Sequence, residues 1–279
     1  MNPIVTRVRS QLQKHLRRQK STSTTILCFG DSNTWGYDPK PRLIPRRIPD
    51  GQRWTDLLEQ KLTQHDHQNE QNEQELELEQ TKLGKVKVLV DALNARTTIY
   101  SDPAGPCDGE YNCNGRDMLM TSLHTHKPLD VVVLALGTND LKKQLSNTEH
   151  SIASGVRILA RDIMRATNIG RASSGDDKGV SLSGSCPEIV IVGVPKIKET
   201  PSSLAWGFHD CGETCEKLVP LLREVATSVG GHFVNLQQLD VEVSPLDGVH
   251  FDVDAQEAIA EAVSGAVRKA MQQRRRGEK

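Results

Sequence analysis

Two nearly unbroken runs of aliphatic residues, Val131-Val132-Val133-Leu134-Ala135-Leu136 and Ile189-Val190-Ile191-Val192, do most to limit what this chain can fold into. A strand with one wet face alternates apolar and polar residues. A strand without that alternation has to be covered on both faces, as in the centre of a parallel sheet sheathed by helices. Three further apolar stretches, near 24–30, 86–92 and 232–236, also read as strands. Helical patterns fall near 52–64, 115–126, 148–168, 212–229 and 254–275. Alternating strands and helices imply an α/β class with a doubly wound, five-stranded parallel sheet. In such sheets ligands sit beyond the carboxyl ends of the strands.

Several residues capable of chemistry fall just past those ends. The first strand runs through Thr24-Thr25-Ile26-Leu27 into Cys28-Phe29-Gly30-Asp31-Ser32, so a tight turn carries a hydroxyl. Ser32 is a candidate nucleophile if a base can reach it. Asp247-Gly248-Val249-His250 offers that base, since an unperturbed imidazole titrates at about 6.5. Asp247, three residues earlier, can orient the ring. Past the third strand, Gly137-Thr138-Asn139-Asp140 supplies a side-chain amide. The backbone N–H groups of Ser32 and Ala95 and the Asn139 amide are candidate donors to an oxyanion. Plainer roles compete: turn or helix-cap chemistry for Asp31 and Asn139, and simple packing for His250. Around the site, Asp31, Trp35, Arg96 and Trp206 are pocket candidates. Trp35 lies three residues past the serine. Arg96 is placed either to meet an acidic leaving group or to form a surface salt bridge. Trp206 lies in an irregular loop over 194–208 that also holds Pro195, Pro201 and Phe208.

These blocks resemble the SGNH hydrolases, or GDSL-type esterases and lipases. Gly30-Asp31-Ser32-Asn33 is similar to the family's first block, Gly137-Thr138-Asn139-Asp140 to its third and Asp247-Gly248-Val249-His250 to its fifth, across about residues 25–270. The second block departs from the pattern: Ala95, in Leu93-Asn94-Ala95-Arg96-Thr97-Thr98, stands where the family uses glycine. That variant, with Trp54 and the Asp102-Pro103 to Asn114-Gly115 loop, resembles the arylesterase and acyltransferase branch. The resemblance implies a flavodoxin-like three-layer α/β/α sandwich, no metal or other cofactor, and small acyl esters as substrates. Some relatives transfer the acyl group to alcohols, and some form oligomers, so a homo-oligomer is one expectation. A carbohydrate deacetylase, a lipid or thioester hydrolase, and an inactive binding protein are alternatives on the same scaffold. The G-x-S-x-G signature of α/β-hydrolases and the P-loop of nucleotide-dependent phosphoryl transfer are both missing from the sequence.

The 279 residues carry a formal net charge of -1, which argues against general nucleic-acid binding. No apolar run approaches the ~20 residues needed to span a bilayer. The first 22 residues read as a basic, amphipathic helix or extension, with Arg7, Arg9, Lys14, Arg17, Arg18 and Lys20 and no acidic residue before Asp31. That segment suits either an organelle transit peptide or a helix packed on the domain, and a cytoplasmic location is the first expectation. Residues 23–279 are read as one domain with polar insertions near 64–82 and 170–186. Without a secretory signal, the Cys107/Cys113 and Cys211/Cys215 pairs are expected as free thiols rather than disulfides. His209 with Cys211 and Cys215 lacks the fourth ligand a zinc site needs.

Overall fold

The computed structural model describes residues 23–40, 46–68, 85–103, 111–170 and 186–276. Five strands, β1 (Ser23–Gly30), β2 (Lys85–Ala92), β3 (Val131–Ala135), β4 (Glu188–Val192) and β5 (His232–Val234), form one sheet. All are parallel, in the order β2-β1-β3-β4-β5. This is the flavodoxin-like order, which reverses direction at β1 and opens a crevice between the carboxyl ends of β1 and β3. Those ends are in register, with Gly30 opposite Ala135.

The two apolar runs lack alternation because both faces of their strands are covered. Leu27, Phe29, Val132, Leu134, Ile189 and Ile191 face one core, shared with α3 (Gly115–His126), α4 (Glu149–Arg165) and α6 (Cys211–Ser228). Ile26, Cys28, Val131, Val133, Val190 and Val192 face the other, under α2 (Trp54–Gln68) and α7 (Val253–Arg276). The result is a three-layer α/β/α sandwich. At the edge, β2 keeps its lysines exposed, and its Val88 N–H is capped by the Glu59 carboxylate at 2.6 Å.

The five strands and five helices expected beyond residue 22 are all present, with ends shifted by a few residues. Two short helices were not expected. One, α1 (Ser32–Trp35), carries the candidate nucleophile in its first turn. The other, α5 (Pro201–Ala205), lies inside the loop read as irregular. Thr200 caps it in a reciprocal box with Ser203, and Pro201 sits in its first turn, where a missing N–H costs nothing.

The basic segment 1–22, residues 69–82 of the first insertion, residues 171–185 of the second, and Cys107 lie outside the described residues. Cys28, Cys113, Cys186, Cys211 and Cys215 are free thiols. Burial pushes Cys211 up to about 12 and Cys215 up to about 11, so both stay protonated and inert. Among the described residues, no helix is long and apolar enough to cross a membrane.

Candidate active site

The turn after β1 is built by three neighbouring residues. A Cβ on Gly30 would lie 2.1 Å from Thr34 Oγ1, so only glycine lets the strand fold so closely onto α1. Asp31 is the N-cap of α1, its Oδ1 accepting from Asn33 N at 3.0 Å. Ser32 then opens the helix, buried except for its approach to the cavity described below.

His250 arrives from 218 residues away, and its Nε2 lies 2.7 Å from Ser32 Oγ. Its Nδ1 lies 2.7 Å from Asp247 Oδ2. The other Asp247 oxygen accepts the backbone N–H groups of Val249 and His250, both at 2.9 Å, so this carboxylate is fixed by its own loop. Gly248 makes that loop possible: its φ is +74°, and a Cβ there would lie 2.0 Å from the Lys198 carbonyl. Lys198 N–H donates to Gly248 O and Thr200 Oγ1 donates to Asp247 O, bracing the loop from the β4–α5 connection.

The third component is a clamp between residues 139–140 and 95–98. Asn139 Nδ2 donates to Arg96 O at 3.1 Å, which leaves the second amide hydrogen for the cavity. Asp140 accepts Thr98 N–H at 3.0 Å on both oxygens and Thr98 Oγ1 at 2.5 Å. Within the clamped loop, Ala95 has φ +61°. An L residue in this left-handed region carries a strain of about 1–2 kcal/mol, and glycine would carry none. The substitution noted in the second block is therefore tolerated at a small cost while the local backbone keeps a glycine-like conformation.

Ser32, Ala95, Asn139 and His250 share an open cavity of about 600 Å³. Leu204, Trp206 and Phe208 give it an apolar lining; Asn94, Tyr111, Lys142 and Gln144 give it a polar one. Lys142 is nearly buried and pairs with Asp102 at 3.0 Å. Trp206 thus lies where a pocket residue was expected, and three other candidates do not. The Trp35 ring stacks beneath the Arg47 guanidinium at 5.0 Å, outside the cavity lining. Arg96 neither lines the cavity nor sits in a surface salt bridge. It is buried over the Phe29 ring and donates to the Gly30 and Asp91 carbonyls and the Asp91 carboxylate, so it ties the ends of β1 and β2 together. Asp31 faces a small void of about 20 Å³, shared with Thr138, beneath the site.

Two contributors carried no expected role. Asn33 Nδ2 donates to Val249 O at 3.2 Å, and Phe251 N–H donates to Asn33 Oδ1 at 3.3 Å. Tyr37 stacks on the His250 ring. Gly36, with φ +86°, folds the chain back so that Tyr37 N–H reaches the Ser32 carbonyl, a turn that residue type alone does not announce.

Burial raises the Asp31 carboxyl to about 6, against the lowering effects of Asn33 N–H, the His250 ring and the Thr138 hydroxyl. Asp140 is likewise raised to about 6 by burial, which its Thr98 hydrogen bonds only partly offset, with a smaller upward push from Asp31. A hydroxyl bonded to an imidazole that is bonded to a carboxylate can lose its proton as it attacks an acyl carbon.

The GDSL-like Lipase/Acylhydrolase family matches residues 26–263. Three solved structures show the same architecture. A carbohydrate acetylesterase family member from Sinorhizobium meliloti is 30% identical, with TM-score 0.68, covering 89% of this chain and 99% of its own. A protein assigned as an arylesterase from Agrobacterium tumefaciens is 34% identical, with TM-score 0.68, covering 88% and 99%. The aryl esterase of M. smegmatis is 26% identical, with TM-score 0.70, covering 88% and 99%. None of the curated proteins matches the chain in sequence.

Proposed function

This chain belongs to the GDSL-like lipase/acylhydrolase family, the SGNH hydrolases, and within it we propose a serine esterase that hydrolyses small acetyl- or aryl-type esters through an acyl-enzyme. Family membership makes it a carboxylic ester hydrolase. The observation that carries the finer reading is the unbroken chain from Asp247 through His250 to Ser32, with both links at 2.7 Å, opening on the cavity that Ala95 and Asn139 also line.

Ser32 Oγ attacks the ester carbonyl carbon while His250 Nε2 takes its proton. Asp247 holds the opposite ring N–H and stabilises the imidazolium. The carbonyl oxygen becomes an oxyanion and accepts from the N–H groups of Ser32 and Ala95 and from Asn139 Nδ2, each worth about 2.7–4 kcal/mol in comparable hydrolases. His250 returns the proton to the departing alcohol oxygen. Water, activated by the same imidazole, then releases the acid, and an alcohol entering instead would receive the acyl group.

Turnover of 4-nitrophenyl acetate and labelling by a fluorophosphonate are expected in the wild type, and both should vanish in Ser32→Ala. A Ser32→Ala variant that turns over at the wild-type rate overturns the assignment.

A second reading, deacetylation of carbohydrate esters, is favoured by the polar lining of Asn94, Tyr111, Lys142 and Gln144, which can hydrogen-bond a hydroxyl-rich alcohol. The likeness to a carbohydrate acetylesterase points the same way. A panel of acetylated sugars, aryl acetates and longer acyl chains separates the two readings.

A further inference from the structure

The Tyr37 and His250 rings are stacked, with centroids 4.2 Å apart and planes 25° from parallel. Trp206 closes the group, 5.7 Å from His250 at 67° and 6.2 Å from Tyr37 at 82°. The tyrosine is anchored to the nucleophile turn, since its N–H donates to Ser32 O at 3.0 Å. The stack is therefore part of the same local geometry as the Ser32–His250 hydrogen bond.

We propose that Tyr37 is a positioning residue whose ring face supports the imidazolium form of His250 during turnover. The inference rests on His250 being the base. An aromatic face carries partial negative charge, so it attracts a cation stacked on it and leaves a neutral ring nearly unaffected. Several charged or titratable groups also face this stack. Asp247 comes from the loop of His250, Asp31 from the β1–α1 turn, and Asp38 from the residue after Tyr37. Lys142 and His209 line the same cavity. Lys142 is already paired with Asp102, and Asp247 serves Nδ1 in the ring plane. The Tyr37 face supplies support perpendicular to that plane, which the Asp247 contact does not.

The test is the pH dependence of kcat/KM on 4-nitrophenyl acetate for Tyr37→Leu, Tyr37→Phe and Tyr37→Trp. Leucine keeps an apolar cover but removes the π face. It should move the acid limb down by about half a pH unit and lower kcat about threefold. Phenylalanine keeps the face and should leave the limb in place. Tryptophan, the stronger cation acceptor, should move it upward. An unmoved limb in the leucine variant overturns the proposal, and so does a phenylalanine variant that behaves like leucine, which would transfer the role to the hydroxyl. Should the leucine variant not fold, an unmoved limb in the tryptophan variant overturns it instead. A wild-type profile with no acid limb, or full activity in His250→Ala, would remove His250 as base and the Tyr37 role with it.

Discussion

Asn33 and Val249 are 216 positions apart and joined by a hydrogen bond of 3.2 Å. The same Asn33 side chain accepts Phe251 N–H, so it holds the backbone on both sides of His250. Its own carbonyl accepts Trp54 Nε1 at 3.1 Å, and Trp54 N–H donates to Gln256 Oε1 at 3.0 Å. The serine turn, α2, the His250 segment and α7 are thus tied through the Asn33 amide, the Trp54 indole and backbone N–H, and the Gln256 carboxamide. The separation of Ser32 Oγ and His250 Nε2 is set by this lattice as well as by their own contact.

Asn33→Ala is therefore expected to damage catalysis from beside the reacting atoms. It leaves the Val249 carbonyl and the Phe251 N–H unpaired, at a cost of about 1–3 kcal/mol. The melting midpoint should fall by several degrees, at about 2–4 °C per kcal/mol for a chain of this size. Freed from its register, His250 should serve Ser32 less often, lowering kcat about tenfold with KM little changed. Wild-type kcat in a folded Asn33→Ala protein would show that the lattice does not set the geometry.

Asn139 is expected to act on the transition state. Removing one oxyanion donor typically lowers kcat by about 10²–10³. Asn139→Ala should fall in that range, with fluorophosphonate labelling of Ser32 slowed in parallel. A loss below tenfold would leave Asn139 as a turn residue whose bond to the Arg96 carbonyl is its whole contribution.

Ala95 separates backbone conformation from side-chain chemistry. Its φ of +61° is strained for alanine, so Ala95→Gly relieves about 1–2 kcal/mol while adding about 0.5–1 kcal/mol of unfolded-state entropy. Activity should be retained and stability change by less than about 1 kcal/mol. Ala95→Val, β-branched in the same region, should move the N–H out of the cavity and cut kcat more than tenfold. Equal kcat for the glycine and valine variants would remove the Ala95 N–H from the oxyanion reading.

Much of this was legible in the chain because the strands here are pure cases. Val131–Leu134 has both faces buried, so composition alone marks it as central, and the blocks around Ser32, Ala95 and Asn139 follow from where such strands end, whereas Asp247 and His250 were legible only from their own spacing in a loop well past β5. The misplacements have a common cause. Trp35 and Tyr37 are two residues apart, and which of them enters the cavity depends on the left-handed turn at Gly36, a property of φ rather than of residue type. Arg96 reads as a surface or ligand-facing cation. Its burial depends on two carbonyls and a carboxylate, Gly30, Asp91 O and Asp91 Oδ1, brought together only when β1 and β2 pair. The roles of Asn33 and Tyr37 are relations across more than 200 residues, which local pattern does not encode.

Asp31 gives the pH prediction. Its carboxyl titrates at about 6 in the folded chain against 3.8 for an unburied group, because burial penalises its charge. Between those values the folded state holds more protons than the unfolded one, so this group's contribution to stability is complete below about pH 4 and is lost as pH rises through about 6. Asparagine at position 31 carries no charge at any pH, and its Oδ1 can still accept Asn33 N–H as helix cap. Asp31→Asn should therefore gain on the wild type between pH 4.5 and 7.5. The gap of about two pH units, at 1.36 kcal/mol each, limits the Asp31 part of that gain to about 3 kcal/mol. The gain includes relief of Asp140, which the Asp31 charge also pushes upward. Urea unfolding of both proteins at the two pH values measures the difference directly. A wild-type-minus-variant stability that stays constant between pH 4.5 and 7.5 would mean that Asp31 is ionised throughout, and that the Asn33 N–H, the Thr138 hydroxyl and the His250 ring outweigh its burial.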